Sequence, residues 1–348
     1  MINRVNLEER IDKAVSSIFN ENTPGMTLLI AQGDEILVRK AYGMADIAAG
    51  RKAVPEDNFV IASNSKQFTC FAIRMLEAEG KLDINETIER FFPDFPDYVK
   101  KVTIKDLMIH QSGIKEYYDE DRWKLTVEAD TDRMLEIIKD FGGLQFEPHQ
   151  RWSYCNSSYV MLGRIIEQLS GMTFGQFIKT RILDPVGMTN SFAPDYMNDR
   201  PASLTEGYVL KEDGSFEAVP YDMLVVGYAD GNIQSNVDDM LKWHKHLFME
   251  ENSVFLDRKI MKESFVNNPV EANGLLSGYG YGFFIGDSPY HMGHLEGHRE
   301  IWHTGGASGF ISRISRYVDD KLSVIMLTNY EGLPKDELFF KIMTEVFA

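Results

Sequence analysis

Strand signals sit at opposite ends of this chain, and that separation constrains the fold more than any other feature. Near the N-terminus, the apolar runs Met26 to Gln32 and Glu35 to Tyr42 flank Gly33-Asp34, a turn dipeptide that predicts a β-hairpin. Near the C-terminus, Phe310 to Val318 and Leu322 to Leu327 flank Asp319-Asp320-Lys321 and predict a second. A helix over Asp336 to Phe347 follows it, and an amphipathic helix with Leu7, Ile11, Val15 and Ile18 on one side precedes the first hairpin. The interior carries helix signals instead. Thr103 with Asp106 makes a capping box, Tyr159 to Leu169 reads as a helix ended by Gly171, and Val237 to Leu247 as another. The expected class is α/β of the α+β kind: one antiparallel sheet built from both termini, flanked by helices, with an inserted, mainly helical lobe. The expected division is a discontinuous sheet lobe over 1–65 and 221–348 and a helical lobe over 66–220, with the functional pocket at their seam.

A chain of 348 residues, 44% hydrophobic, can bury a substantial core. Its formal charge of −17 argues against nucleic acid and anionic membrane surfaces as partners, because both attract basic proteins. The first helix lacks the long apolar core of a signal peptide, and no segment is apolar enough to span a bilayer. With two cysteines and no export signal, the expected compartment is the cytoplasm, an expectation that a trimmed export sequence would change. Inside the cell, cell-wall peptide trimming is disfavoured, since that substrate lies across the membrane.

Chemistry enters at Ser63-Asn64-Ser65-Lys66. From Gln67 to Glu79, Phe68, Phe71, Ala72, Met75 and Leu76 recur at helical spacing, Cys70 and Ile73 widen the apolar surface, and Gly80 terminates it. Ser63 therefore stands at the amino end of a buried helix, with Lys66 on the same face. A serine hydroxyl is nearly inert until a neighbouring base takes its proton, and an amine three residues on is placed to do so. The plainer reading of the four residues alone is a helix cap. Two distant motifs weigh against it: Tyr154-Cys155-Asn156 after Trp152, and His303-Thr304-Gly305-Gly306 leading into an apolar strand.

This ordered set resembles the penicillin-recognising serine hydrolases, the branch with class C β-lactamases, D-alanyl-D-alanine carboxypeptidases, D-aminopeptidases and family VIII-like carboxylesterases. The resemblance also covers Phe59 to Thr69, Leu107 to Gly113, Phe146-Glu147-Pro148, Tyr159 to Gly163, Pro185 to Met188 and Tyr279 to Phe283. It implies a β-lactamase/transpeptidase-like fold with Ser63 as nucleophile, Lys66 as its partner and Tyr154 as a phenol that shuttles a proton. An unperturbed phenol loses its proton only near ~10, so that role calls for a cation such as Lys66 nearby. Which of Lys66 and Tyr154 takes the first proton stays open. By the same resemblance, Asn156 holds the substrate carbonyl side and orients Lys66, and the N–H groups of Ser63 and Gly306 form the oxyanion hole. His303, Thr304, Gly305 and Gly306 complete the substrate-binding set. His303 stands where many relatives have lysine, and a neutral imidazole attracts a substrate carboxylate less than an ammonium does.

Three positions depart from the pattern: His149 after Pro148, Asp230-Gly231 where a glycine pair is common, and Cys155 where serine is frequent. Cys155 and Cys70 read as small buried thiols rather than nucleophiles, since no histidine adjoins either. His291, His294, His298 and His303 cluster, but their spacing fits neither a helix face nor a strand face, so no metal and no cofactor is expected. Arg299 is either a contact for an anionic substrate group or a solvated charge. The expected function is an acyl-enzyme serine hydrolase on Ser63, cleaving a β-lactam, ester or D-amino-acid amide or peptide bond of a small-molecule or peptide substrate. The alternatives are a non-catalytic penicillin-binding sensor or scaffold and, among enzymes, a carboxylesterase or D-aminopeptidase with little β-lactamase activity. The Tyr117-Tyr118-Asp119 loop is expected to shape the pocket that decides among them.

Overall fold

The protein is described here by a computed structural model covering residues 2–117, 131–195, 200–221, 228–248, 256–266, 268, 278–287 and 298–347. Tyr118 and Asp119 of the expected pocket loop lie outside the described residues. After helix α1 (Leu7–Val15) come strands β1 (Met26–Gln32) and β2 (Glu35–Tyr42), then helices α2 (Lys66–Ala78), α3 (Ile104–Met108), α4 (Asn156–Ser170) and α5 (Val237–Phe248). The chain closes with strands β3 (Gly278–Tyr279), β4 (Phe284–Asp287), β5 (Arg299–Ala307), β6 (Phe310–Tyr317) and β7 (Leu322–Thr328), and helix α6 (Lys335–Phe347). The strands form one antiparallel sheet in the order β2-β1-β7-β6-β5-β4-β3, so the two terminal hairpins meet where β1 pairs with β7. Gly207–Leu210 and Phe216–Val219 make a smaller sheet with Tyr330–Glu331.

Strand alternation sorts the core into two layers. Leu28 and Ile30 of β1 with Val324 and Met326 of β7 pack against α1 and α6, meeting Ile11, Val15, Phe339 and Ile342. Leu29, Ala31, Ile325 and Leu327 face the opposite side, toward α2 and Trp243 of α5. Because helices cover both faces, the central strands read as unbroken apolar runs rather than alternating ones. Every residue of α2 from Lys66 to Leu76 is buried, which makes it the central helix. Trp243 stacks on Phe68 with ring centroids 4.5 Å apart, and its indole N–H donates to Gln67 Oε1 at 2.6 Å. Among the described residues, no helix is long and apolar enough to cross a membrane.

Two details of the sheet position the site. Strand β4 pairs with β5 only as far as Trp302, so His303–Ala307 overhangs with one edge left open among the described residues. That overhang crosses the short 3-10 turn Ala62–Ser65 that precedes α2. A β-carbon on Gly305 would collide with the Ile61 carbonyl oxygen, the Ser312 hydroxyl and Ala62, so glycine is what lets strand and turn touch. The bare α-carbon of Gly305 thus faces protein, whereas Gly306 is exposed with open space beside it. Gly305→Ala should destabilise the protein by about 1–3 kcal/mol, as overpacking does, while Gly306→Ala should change stability by less than about 0.5 kcal/mol. Denaturant titration of the two variants measures both.

Candidate active site

Ser63 enters on the 3-10 turn, immediately after Ala62, whose left-handed φ of 48° is unusual for a residue with a β-carbon. The turn is tied down on both sides. Ser312 donates from Oγ to the Ile61 carbonyl at 2.7 Å and accepts from Asn64 Nδ2 at 2.8 Å, and the Ser65 hydroxyl accepts the Ile233 N–H at 3.0 Å. One turn on, the fully buried Lys66 amine lies 3.1 Å from Ser63 Oγ and donates to Asn156 Oδ1 at 2.7 Å and to the Asp230 carbonyl at 2.8 Å. Burial lowers its pKa to about 8, against the opposing pull of the Asp230 and Glu116 carboxylates.

Asn156 opens α4, three residues earlier than the apolar pattern suggests. The helix can start there because a carboxylate from elsewhere supplies the missing cap. Glu116 Oε2 accepts the Asn156 N–H at 2.6 Å while its Oε1 accepts the Tyr117 N–H at 2.9 Å. Asp230 closes the far side: its carboxyl oxygen Oδ2 accepts the Tyr117 hydroxyl at 3.1 Å, and its partner Oδ1 is buried without a hydrogen bond. Burial pushes this carboxyl above the ordinary range while Lys66 pulls it down. The Asp230-Gly231 departure is therefore part of the lysine's surroundings.

Tyr154 lies across the amine, with Lys66 Nζ 4.8 Å from its ring centroid. The expected phenolate-stabilising effect does not appear. Burial raises the phenol well above its usual value, the Ser63 hydroxyl offsets this in part, and Asp230 and Glu116 raise it further. The phenol is thus neutral in the resting protein, and its oxygen has no partner of ordinary hydrogen-bond geometry.

His303 stands 6.1 Å from Tyr154, centroid to centroid. Its Nδ1 lies 2.6 Å from the Thr304 carbonyl, which can only accept, so Nδ1 carries the proton and Nε2 accepts the Tyr279 hydroxyl at 2.9 Å. Burial and the nearby Lys66 lower its pKa to about 3. The ring is uncharged at any ordinary pH and both nitrogens are occupied. Strand alternation places the Thr304 side chain on the face of Arg313 and Ile311, away from the serine turn.

Of the other expected contributors, Arg299 lies at the far end of β5 and reaches the Phe265 carbonyl at 3.4 Å. His298 faces Asp320 at 2.5 Å, and His291 and His294 lie outside the described residues. His149 adopts a left-handed backbone, φ 65°, a conformation that glycine takes more readily than a residue with a β-carbon. Cys70 Sγ lies 3.3 Å from the Tyr159 hydroxyl and Cys155 Sγ donates to the Ile114 carbonyl at 3.3 Å; burial pushes both thiols up to about 12. Sequence reasoning missed Glu116 and the pairing of Tyr279 with His303. Both act across long stretches of chain that leave no local spacing to read.

Fold and site together define a protein of the β-lactamase/transpeptidase fold. The chain belongs to the Beta-lactamase family, whose pattern matches residues 7–339. It is 31% identical to penicillin-binding protein 4* of Bacillus subtilis over 321 residues, 88% of this chain and 68% of that protein. It is 26% identical to the D-aminopeptidase of Brucella ovis over 329 residues, 91% of this chain but 58% of that protein's length. Among solved structures it is similar to the octameric penicillin-binding protein homologue from Pyrococcus abyssi, with a TM-score of 0.80, 25% identity and coverage of 97% and 76% of the two chains. The fold also matches D-amino acid amidase from Ochrobactrum anthropi, with a TM-score of 0.80, 21% identity and 98% of each chain covered.

Neither thiol should react with Ellman's reagent in the folded protein, and both should react after unfolding, read as thiolate release at 412 nm in roughly neutral buffer. Rapid native labelling would contradict the burial described.

Proposed function

We propose that the protein is a serine hydrolase that forms an acyl-enzyme on Ser63 and releases the acyl group to water, acting on a β-lactam, ester or D-amino-acid amide bond. The observation that carries this reading is the set of partners around Lys66. A neutral amine has two hydrogens and one lone pair. Asn156 Oδ1 and the Asp230 carbonyl take the hydrogens, which leaves the lone pair for the Ser63 hydroxyl. Lys66, rather than the high-pKa phenol of Tyr154, then accepts the serine proton as the Oγ–C bond forms.

The resulting oxyanion is held by the N–H groups of Ser63 and Gly306. On collapse, the bond to the leaving nitrogen or oxygen breaks, Tyr154 donates its proton to that atom, and the Lys66 ammonium restores the phenol. Water repeats the sequence in reverse on the acyl-enzyme. A neutral phenol with a free O–H suits the acid role better than the base role.

His303 narrows the substrate. Uncharged and with both nitrogens occupied, it offers no cation to a carboxylate, which favours esters and amides whose leaving side is uncharged. The similarity to a D-aminopeptidase supports including D-amino-acid amides among them.

Incubation with a p-nitrophenyl ester should give multiple turnovers and, on acid quench, a mass adduct on the peptide bearing Ser63. Ser63→Ala should lose turnover by on the order of 10³-fold or more. Full activity in that variant would end the assignment, and stoichiometric acylation without turnover would favour a binding protein instead. On paired substrates, kcat/KM for a D-amino-acid amide should exceed that for the corresponding peptide with a free C-terminal carboxylate.

A further inference from the structure

Helix α3 ends in a turn whose usual occupant is glycine. The Gln111 N–H donates to the Asp106 carbonyl at 2.9 Å, and the residue just before it, at the left-handed φ of 60°, is His110. A side chain with a β-carbon is disfavoured there, so the imidazole has to contribute something that glycine could not. Its contacts identify the contribution. The His110 carbonyl accepts the Ser153 N–H at 2.9 Å, and His110 Nδ1 accepts the Cys155 N–H at 3.0 Å. Tyr154 lies between those two anchors, with its ring against the imidazole at a centroid separation of 4.4 Å and an interplanar angle of 33°. Because Nδ1 accepts, Nε2 carries the proton, buried and without a hydrogen-bond partner. Burial, with Lys66 and His303 nearby, holds the ring uncharged, so it remains an acceptor across the working pH range. One residue thus brackets the phenol on both sides, and the residue after the bracket is Asn156, which binds Lys66.

We propose that His110 is a positioning residue for the reaction at Ser63, holding the Tyr154 phenol and the Asn156 amide in register by accepting the Cys155 N–H through Nδ1. It touches no reacting atom, and its role presupposes the acyl-enzyme chemistry proposed above. A purely conformational role for position 110 would be served as well or better by glycine. A positioning role would not.

The test compares His110→Gly, which relaxes the turn but removes the acceptor, with His110→Asn, which tolerates left-handed backbone and presents Oδ1 close to the place of Nδ1. Steady-state hydrolysis of p-nitrophenyl butyrate by each purified variant gives kcat and KM. His110→Gly should lose about 10- to 100-fold in kcat with KM within about twofold, the size expected of a small misplacement of reacting groups. His110→Asn should recover to within about fivefold of the parent. Parent-like kcat in His110→Gly, or a loss in His110→Asn as deep as in His110→Gly, would overturn the role. Should His110→Gly fail to fold, His110→Asn decides alone: parent-like kcat supports the role, and a tenfold or greater loss at unchanged KM overturns it. Ser63→Ala in the same assay separates the two layers. Retained turnover there breaks the Ser63 reading itself, whereas its loss beside a parent-like His110→Gly breaks the positioning role alone.

Discussion

An amine with no exposure to water, two of its hydrogen-bonding directions occupied and the third toward a serine, is the constraint from which the rest of this site follows. Holding Lys66 at about 8 instead of its ordinary 10.5 corresponds to about 3 kcal/mol in favour of the neutral form. Burial supplies that preference, and the Asp230 and Glu116 carboxylates limit it. The same burial acts in the opposite sense on Tyr154, which keeps its proton. The same buried surroundings therefore sort the two groups into one that can accept and one that can donate, and the division of labour proposed for acyl transfer is a consequence of where they sit.

Keeping Lys66 dry depends on elements that are far apart in the chain. The amine rides on α2, its amide partner opens α4, and its carbonyl partner belongs to the segment before α5. These meet the sheet at its overhanging strand through close backbone contact. Gly305 admits the Ile61 and Ser312 oxygens, and Gly282, at φ 81°, sits where a β-carbon would strike the backbone of Gln67. The left-handed conformation of Ala62 sits between groups that are tied down, the Ile61 carbonyl accepting from Ser312 and Asn64 donating to the same hydroxyl.

Much of this was legible in the sequence. Both hairpins appear within a residue or two of their expected limits, since turn dipeptides and apolar runs are local signals. Helix α2 runs from Lys66 to Ala78 against an expected Gln67 to Glu79, and Thr103 and Asp106 do form a capping box. Ser63, Lys66, Tyr154, Asn156 and His303 converge, which motif order made expectable. What stayed hidden was tertiary. Glu116 caps α4 from forty residues upstream, so the helix begins at Asn156 rather than Tyr159. The charge state of Tyr154 depends on burial, which no spacing reveals, and Gly305 turned out to serve packing against the serine turn.

The most direct measurement is the pH dependence of Ser63 acylation, followed as the pre-steady-state burst from a p-nitrophenyl ester. With Lys66 as the proton acceptor, the amine is protonated and inactive below its pKa and free above it. The burst rate should therefore climb through one ionisation at about pH 8 and level off beyond it. A rate that is flat from pH 6 to 9, or that rises only through an ionisation at the ordinary lysine or phenol value near ~10, would contradict the assignment of the buried amine as base.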